Sequence, residues 1–230
     1  MTPVIEAVPE EIYDIELEHS LLEANAKIAR ANRTLLDEHG ITAVDVMGAI
    51  GSGKTTLITR LVERLKNWIG VAVFNGDATV ANDTELIASQ GVPVVQIATV
   101  NGCHLDANLV DKALKKIDLK GIDLILIENI GNLICPAEFP LGSRSRMVVV
   151  SVTEGPWMVK KHPHMFLGSD VVVINKTDLA DAMGVDVEQL VRDVHTLKPS
   201  IHVVRASCKT GEGLDEIAAL LAPQKASRDA

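Results

Sequence analysis

The sequence predicts an α/β fold: a predominantly parallel seven-stranded sheet with helices on both faces, preceded by an N-terminal helix. Two observations carry the prediction. From Ile41 onward, short β-branched apolar runs alternate with helical patterns, as in βαβ units whose parallel sheet is covered on both faces. Before Ile41, Leu17, Leu21, Ala24, Ile28, Ala31 and Leu35 recur at alternating spacings of four and three, an apolar seam along one helix face. At 230 residues and 47% hydrophobic, the chain can bury one substantial core.

In chain order, residues 1–11 are acidic, hold two prolines and read as a flexible tail. Residues 12–39 read as one helix, with Gly40 placed as its terminating C′ glycine. Its seam is expected to pack on the protein's own sheet, a coiled-coil contact being the alternative. Strands are expected at 42–47, 71–74, 93–97, 122–127, 147–152, 170–175 and 201–205. A helix is expected from Lys54 to Arg64, directly after the first strand and its glycine-rich loop. These elements make one domain over 12–222, its N-terminal helix at 12–40, with a frayed end at 223–230.

The formal charge of −9 and pI near 5.2 argue against a nucleic-acid partner, which needs a basic face. No run approaches eighteen apolar residues, and the start, Met1-Thr2-Pro3-Val4-Ile5-Glu6, is acidic, so neither a membrane span nor a signal peptide is expected. Three scattered cysteines make no disulfide framework. A cytoplasmic protein is the simplest expectation.

Gly48-Ala49-Ile50-Gly51-Ser52-Gly53-Lys54-Thr55 is a complete G-x-x-x-x-G-K-[ST] phosphate loop, placing the chain among P-loop NTPases. Nucleotide contacts are expected from Gly48, Ile50, Gly51, Ser52, Gly53, Lys54, Thr55 and Thr56. Backbone N–H groups of Ile50 to Thr55 would surround the β-phosphate, Lys54 would reach the β- and γ-oxygens, and Thr55 would ligate Mg²⁺. Asn175-Lys176-Thr177-Asp178 follows a buried-strand pattern and resembles the base-reading motif of GTPases. The Asp178 carboxylate can accept from both N1–H and the N2 amino group of guanine, a pair adenine does not offer. Ser207-Cys208-Lys209 resembles the Ser-Ala-Lys loop that closes a guanine pocket, with Cys208 in place of alanine. A small-molecule kinase reading would leave Asp178 unpaired. Asp77 and Glu128 end two strand patterns and are the candidate acids for Mg²⁺, helix caps or solvated loop carboxylates being the alternative. Lys54, Thr55 and Asp77 form the candidate catalytic set. Glu128-Asn129-Ile130-Gly131-Asn132 lacks the glutamine that orients water in Ras-like proteins, so slow hydrolysis of GTP to GDP is expected.

Cys103 and His104 lie in one loop and Cys135 in another, both expected on the nucleotide side of the sheet. Two thiolates and an imidazole suit Zn²⁺ or Ni²⁺. Without a C-x-x-C spacing, the residues alone favour buried cysteines acting as small hydrophobes over metal ligands.

Together, Gly48–Thr56, Gly76-Asp77, Asn101–Ala107, Glu128–Ala137, Val152–Gly155 and Asn175–Leu179 resemble the HypB family of GTPases, which help deliver nickel to [NiFe]-hydrogenase. The resemblance runs from about residue 14 to 222. It implies a GTP/GDP-binding homodimer with nucleotide near its interface, using Mg²⁺ and Ni²⁺ or Zn²⁺. Cys103, His104 and Cys135 match the family's metal-site residues there. It also implies other nickel-insertion accessory proteins and a hydrogenase large subunit as partners. Urease nickel GTPases share the phosphate loop and Asn-Lys-x-Asp, and a GTP-gated assembly protein without metal transfer is a further alternative. Two departures stand out: no cysteine or histidine precedes His19, against an N-terminal nickel store, and Ala49 replaces a lysine common in the related class. His162 and His164 read as a solvated loop, and Cys208 is given no metal role.

Overall fold

Seven of the eight strands of the computed structural model, which describes residues 4–6, 15–76, 81–99 and 102–222, form from the apolar runs after Ile41. Strand β1 (Val4–Glu6) and helix α1 (Ile15–Glu38) lead into β2 (Thr42–Met47), α2 (Lys54–Leu65) and β3 (Val71–Asn75). The chain continues through α3 (Ala81–Ala88), β4 (Val94–Ala98), α4 (Ala107–Leu114) and β5 (Leu124–Glu128). It then passes through β6 (Ser145–Ser151), α5 (Met158–Lys161), α6 (Pro163–Leu167), β7 (Val171–Asn175) and α7 (Ala180–Met183). It ends in α8 (Val187–Leu197), β8 (His202–Arg205) and α9 (Leu214–Leu221). The sheet order is β1-β4-β3-β5-β2-β6-β7-β8, every pairing parallel. The seven expected strands are all present, shifted by at most two residues at most ends.

Strand alternation divides the core. Val44, Val46, Val71, Val73, Leu124 and Leu126 face α2 and α9 on one side. Ala43, Phe74, Ile125 and Ile127 face α4 on the other, and Met47, Val148, Val150 and Ile174 continue that face toward α6 and α8. No helix among the described residues is long and apolar enough to cross a membrane.

Two expectations are corrected. The tail at 1–11 was expected to be loose, but Val4–Glu6 pairs with Gln96–Ala98 as an eighth strand. The open edge of β4 offers unpaired backbone groups, and the β-branched Val4-Ile5 can take them up. The rest of 1–11 and the end at 223–230 lie outside the described residues.

The helix seam also differs. Among the described side chains of α1 the buried ones are Asn25, Ala29, Asn32 and Leu36. Of the expected seam, Ile28 and Leu35 are half-buried, Leu35 against the core, while Leu21 is 36% exposed and Ala24 and Ala31 are exposed. The side chain of Leu17 lies outside the described residues. The helix packs on α4 through hydrogen bonds that an apolar count overlooks. Asn25 accepts from Ala107 N (2.7 Å) and donates to Pro140 O (2.9 Å), and Asn32 donates to Ala107 O (2.8 Å) and Leu141 O (3.1 Å). Gly40, at φ 68°, ends the helix as expected.

Asn32→Ala is expected to cost about 1–3 kcal/mol, because two buried carbonyls lose their donor. Leu21→Ala, on the exposed seam, is expected to change stability by no more than about 0.5 kcal/mol. Urea unfolding of both variants checks the difference.

Candidate nucleotide and metal site

Because the strands are parallel, the loops leaving their carboxyl ends open on one edge of the sheet. The loop from β2 to α2 turns on Gly48 and Gly53, at φ 149° and 99°. A Cβ at Gly48 would lie 2.3 Å from the Val149 carbonyl oxygen, and one at Gly53 only 2.4 Å from Asn175 Nδ2. Lys54, buried at the start of α2, folds its ammonium across the loop and donates to Gly48 O (3.3 Å) and Ala49 O (3.1 Å). Thr55 Oγ1 donates to Glu128 Oε1 at 2.6 Å. The contact exists because β2 and β5 pair with Val46 opposite Glu128, which sets this fully buried acid beside the loop. A threonine hydroxyl and a carboxylate at one point are hard oxygen donors of the kind Mg²⁺ takes. Thr56 is exposed, Ser52 is buried, and Ile50 is 81% exposed. Asp77 lies outside the described residues.

On the other flank, Asn175 joins three segments. Its Nδ2 donates to Ser52 O (2.9 Å) and its Oδ1 accepts from Cys208 N (3.4 Å). Lys176 takes a left-handed backbone conformation at φ 62°, rare for a side-chain-bearing residue, and its ammonium donates to Gly51 O at 2.7 Å. Asp178 Oδ1 accepts from Ser207 Oγ (2.6 Å), and Lys209 Nζ stands 3.9 Å from Asp178 Oδ2. The phosphate loop, Asn175–Asp178 and Ser207–Lys209 therefore share one site. Cys208 is buried there, and burial raises its thiol above the usual range. Glu154 caps the turn after β6 by accepting from Ser151 N; burial raises its carboxyl, against the pull of Lys176 and Lys54.

Cys103, His104 and Cys135 converge, their ligand atoms all within 4.8 Å of one another. Cys103 is exposed and the other two half-buried, so neither metal-loop cysteine is the buried small hydrophobe of the alternative reading. Cys103 Sγ is 3.3 Å from His104 Nδ1, and the imidazole stacks on Phe139 with centroids 3.9 Å apart. Desolvation, then the hydrogen bond and charge of Cys135, raises the Cys103 thiol. Desolvation lowers the His104 imidazole, with Asp106 and Glu138 opposing it, which favours the neutral ligand form. His162 and His164 join no such group among the described residues.

Asn132, which sequence reasoning passed over except as the place of a missing glutamine, connects the two sites. Its backbone N donates to Gly48 O (3.1 Å) in an isolated antiparallel bridge, and its Nδ2 donates to Cys103 O (3.1 Å). Its Oδ1 accepts from Ile134 N (2.9 Å), next to Cys135. Gly131 lies flat on the phosphate loop: a Cβ there would fall 2.5 Å from Ile50 Cγ1.

The family model described as CobW/HypB/UreG, nucleotide-binding domain, matches residues 42–205. A probable hydrogenase maturation factor HypB of Methanocaldococcus jannaschii is 46% identical over 203 residues, 88% of this chain and 92% of the relative. The chain belongs to the HypB family. The crystal structure of HypB from Archaeoglobus fulgidus superposes with a TM-score of 0.83 at 44% identity, over 86% of this chain and 97% of that one. HypB from Helicobacter pylori, crystallised in complex with nickel, gives 0.81 at 31% identity, over 86% and 93%. This HypB-family chain thus carries a nucleotide-binding domain of the P-loop GTPase type.

Gly53→Ala in this HypB-family member is expected to strain the loop and displace Asn175, costing about 1–3 kcal/mol of stability from the backbone alone. Thermal unfolding reads the cost, and guanine-nucleotide affinity is expected to fall with it.

Proposed function

We propose that the chain is a slow, nucleotide-switched GTPase that assists nickel insertion into [NiFe]-hydrogenase. It works as a cytoplasmic homodimer with a Cys/His metal site at the interface, alongside other nickel-insertion proteins and a hydrogenase large subunit. The observation that carries this reading is Asn132, bonded at once to Gly48 of the phosphate loop and Cys103 of the metal loop.

In this reading the backbone of Gly48–Thr56 cradles the phosphates and Lys54 neutralises their charge. Thr55 and Glu128, already in contact, hold Mg²⁺ with Asp77; the ion, when bound, offsets the developing phosphate charge. Asp178 reads guanine, Ser207 and Lys209 hold its carboxylate in place, and Asn175 fixes the pocket to the loop. Slow turnover has a structural support. Both asparagines of Glu128–Asn132 have their amides engaged elsewhere, Asn129 with Asp45 and Leu105 and Asn132 with Cys103 and Ile134.

Two sulfurs and an imidazole suit Ni²⁺ as cargo, or Zn²⁺. The described residues of one chain bring three ligands together, one short of a closed tetrahedral set, and a two-fold interface would pool six. Ile50 and Ile134, 81% and 66% exposed beside the two loops, supply apolar surface for the second copy.

Asp178→Asn is expected to weaken GTP binding by about 1.5–3 kcal/mol and to favour xanthosine triphosphate, whose carbonyl accepts from the new amide. Unchanged GTP affinity would remove Asp178 from the base pocket.

Anaerobic Ni²⁺ titration with GDP and with a non-hydrolysable GTP analogue tests the switch. The two affinities are expected to differ by roughly 5- to 150-fold, and Asn132→Ala to bring the ratio toward one while both sites still bind. Cys103→Ala/Cys135→Ala should abolish the thiolate-to-nickel ultraviolet band and Cys208→Ala should spare it. Affinity should rise with pH toward the thiol range, since the raised Cys103 thiol must lose its proton to bind. The lowered His104 moves its own loss of binding below the ordinary imidazole pKa of about 6.5. Equal Ni²⁺ affinity in both nucleotide states, with equal dimer fractions by sedimentation, would leave a constitutive oligomer with a GTP site.

A further inference from the structure

Beneath the metal loops lies a buried polar cluster that neither nucleotide binding nor metal ligation accounts for. Asp45 stands mid-strand in β2, fully buried, among Ala43, Val44, Val46 and Met47. Its Oδ1 accepts from Asn129 Nδ2 at 3.0 Å, and its Oδ2 has no hydrogen-bond partner among the described residues. Asn129, also fully buried, turns its own Oδ1 outward to accept from Leu105 N (3.1 Å) and Ile130 N (3.0 Å). Leu105 directly follows His104.

On the other side, the β2–β6 register sets Asp45 opposite Arg146. Arg146 Nη1 donates to Ala137 O at 3.0 Å, the last residue of the Cys135–Ala137 turn. Its Nη2 is buried without a hydrogen-bond partner among the described residues. Asp45 thus stands between the residue that holds the Cys103–His104 loop and the residue that holds the Cys135 turn.

The chemistry of the amide makes this arrangement directional. An asparagine side chain can be turned either way, and only one orientation presents oxygen to both the Leu105 and Ile130 N–H groups. An acceptor-only carboxylate behind it selects that orientation; an apolar neighbour selects nothing. A leucine of similar volume would fill this place in the core without the desolvation of an acid. That desolvation is large: burial raises the Asp45 carboxyl to about 6, even with Asn129 and Arg146 pulling it down.

We propose that Asp45 is a positioning residue for the metal site. By fixing the Asn129 amide and facing the Arg146 guanidinium, it sets the backbone that carries Cys103, His104 and Cys135. The proposal rests on the reading of those three residues as metal ligands. Partners behind metal ligands commonly change affinity ten- to a hundredfold when removed.

The test compares Asp45→Leu and Asp45→Asn in the full chain, with Ni²⁺ as the probe. Asp45→Leu is expected to weaken Ni²⁺ binding about ten- to a hundredfold and to shift the thiolate-to-nickel band. In the metal-free protein it should also make Cys103 and Cys135 alkylate faster, while GDP binding and cooperative unfolding persist. Asp45→Asn, which keeps an acceptor for Asn129, should recover most of the affinity. A folded leucine variant with wild-type affinity, band and alkylation rates overturns the proposal. Should that variant not fold, Asn129→Ala is expected to speed alkylation of Cys103, and Arg146→Met that of Cys135. Unchanged rates in both overturn it as well. Failure of the underlying reading is a separate result: Ni²⁺ affinity untouched by Cys103→Ala/Cys135→Ala, measured with Asp45 intact.

Discussion

Parallel pairing of β2 with β5, with Val46 opposite Glu128, determines which groups can meet at the edge of the sheet. It sets Glu128 within reach of Thr55, carries Asn129 N onto Val46 O, and lets Asn132 bridge to Gly48 three residues further on. Side chains alternate along a strand, so a one-residue slip of β5 would turn Glu128 away from the phosphate loop and bring Ile127 or Asn129 into its place beside Thr55. Apolar packing on both faces opposes the slip. Leu124 and Leu126 are buried against α2, and Ile125 and Ile127 against α4, with no room to exchange. The chemistry at the edge is thus held by hydrophobic contacts well inside the molecule.

Buried asparagines make the remaining junctions. Asn25 and Asn32 tie α1 to the start of α4, Asn129 ties β2 to the loop after His104, and Asn175 ties β7 to the phosphate loop and to Cys208. A neutral amide both donates and accepts, so it can clamp two backbone segments without the desolvation of an ion. Each junction lies where a loop leaves regular structure and its backbone groups need partners from elsewhere. Asp45 is the exception, a carboxylate where an amide or an apolar group would bury more easily, and it stands behind one of these asparagines.

Much of this was legible in the sequence. The strands read as β-branched runs because burial on both faces demands them, and the phosphate loop and Asn175–Asp178 have spacings fixed by the groups they serve. Parallel topology sends the loops of Cys103, His104 and Cys135 to the same edge of the sheet, but their mutual approach includes a tertiary contact that no spacing announces, the Asn132 amide on Cys103 O, 29 residues back in the chain. The buried face of α1 is offset from its apolar seam for a related reason. Leucines at helical spacing count as core in any periodicity, yet the face that is buried carries two asparagines whose partners lie about 75 to 115 residues onward. Asp45 leaves a trace in the sequence, an acid in the middle of an otherwise apolar strand.

The segment after β5 also constrains what the proposed enzyme can be. In a fast GTPase this stretch presents a side chain that orients the attacking water. Here its asparagine amides bond to Asp45, Leu105, Cys103 and Ile134, so an amide turned toward a water would release a metal loop. Rapid hydrolysis and a firm link between phosphate loop and metal loop compete for the same groups. On the proposed reading, slow turnover is then a consequence of that link and not a separate defect. On that reading the protein would keep its nucleotide state long enough for a slower event, the handing on of a metal ion, to be completed under it. Linkage makes the dependence mutual: if the state of the phosphate loop alters metal affinity through Asn132, bound metal must alter nucleotide affinity by the same factor.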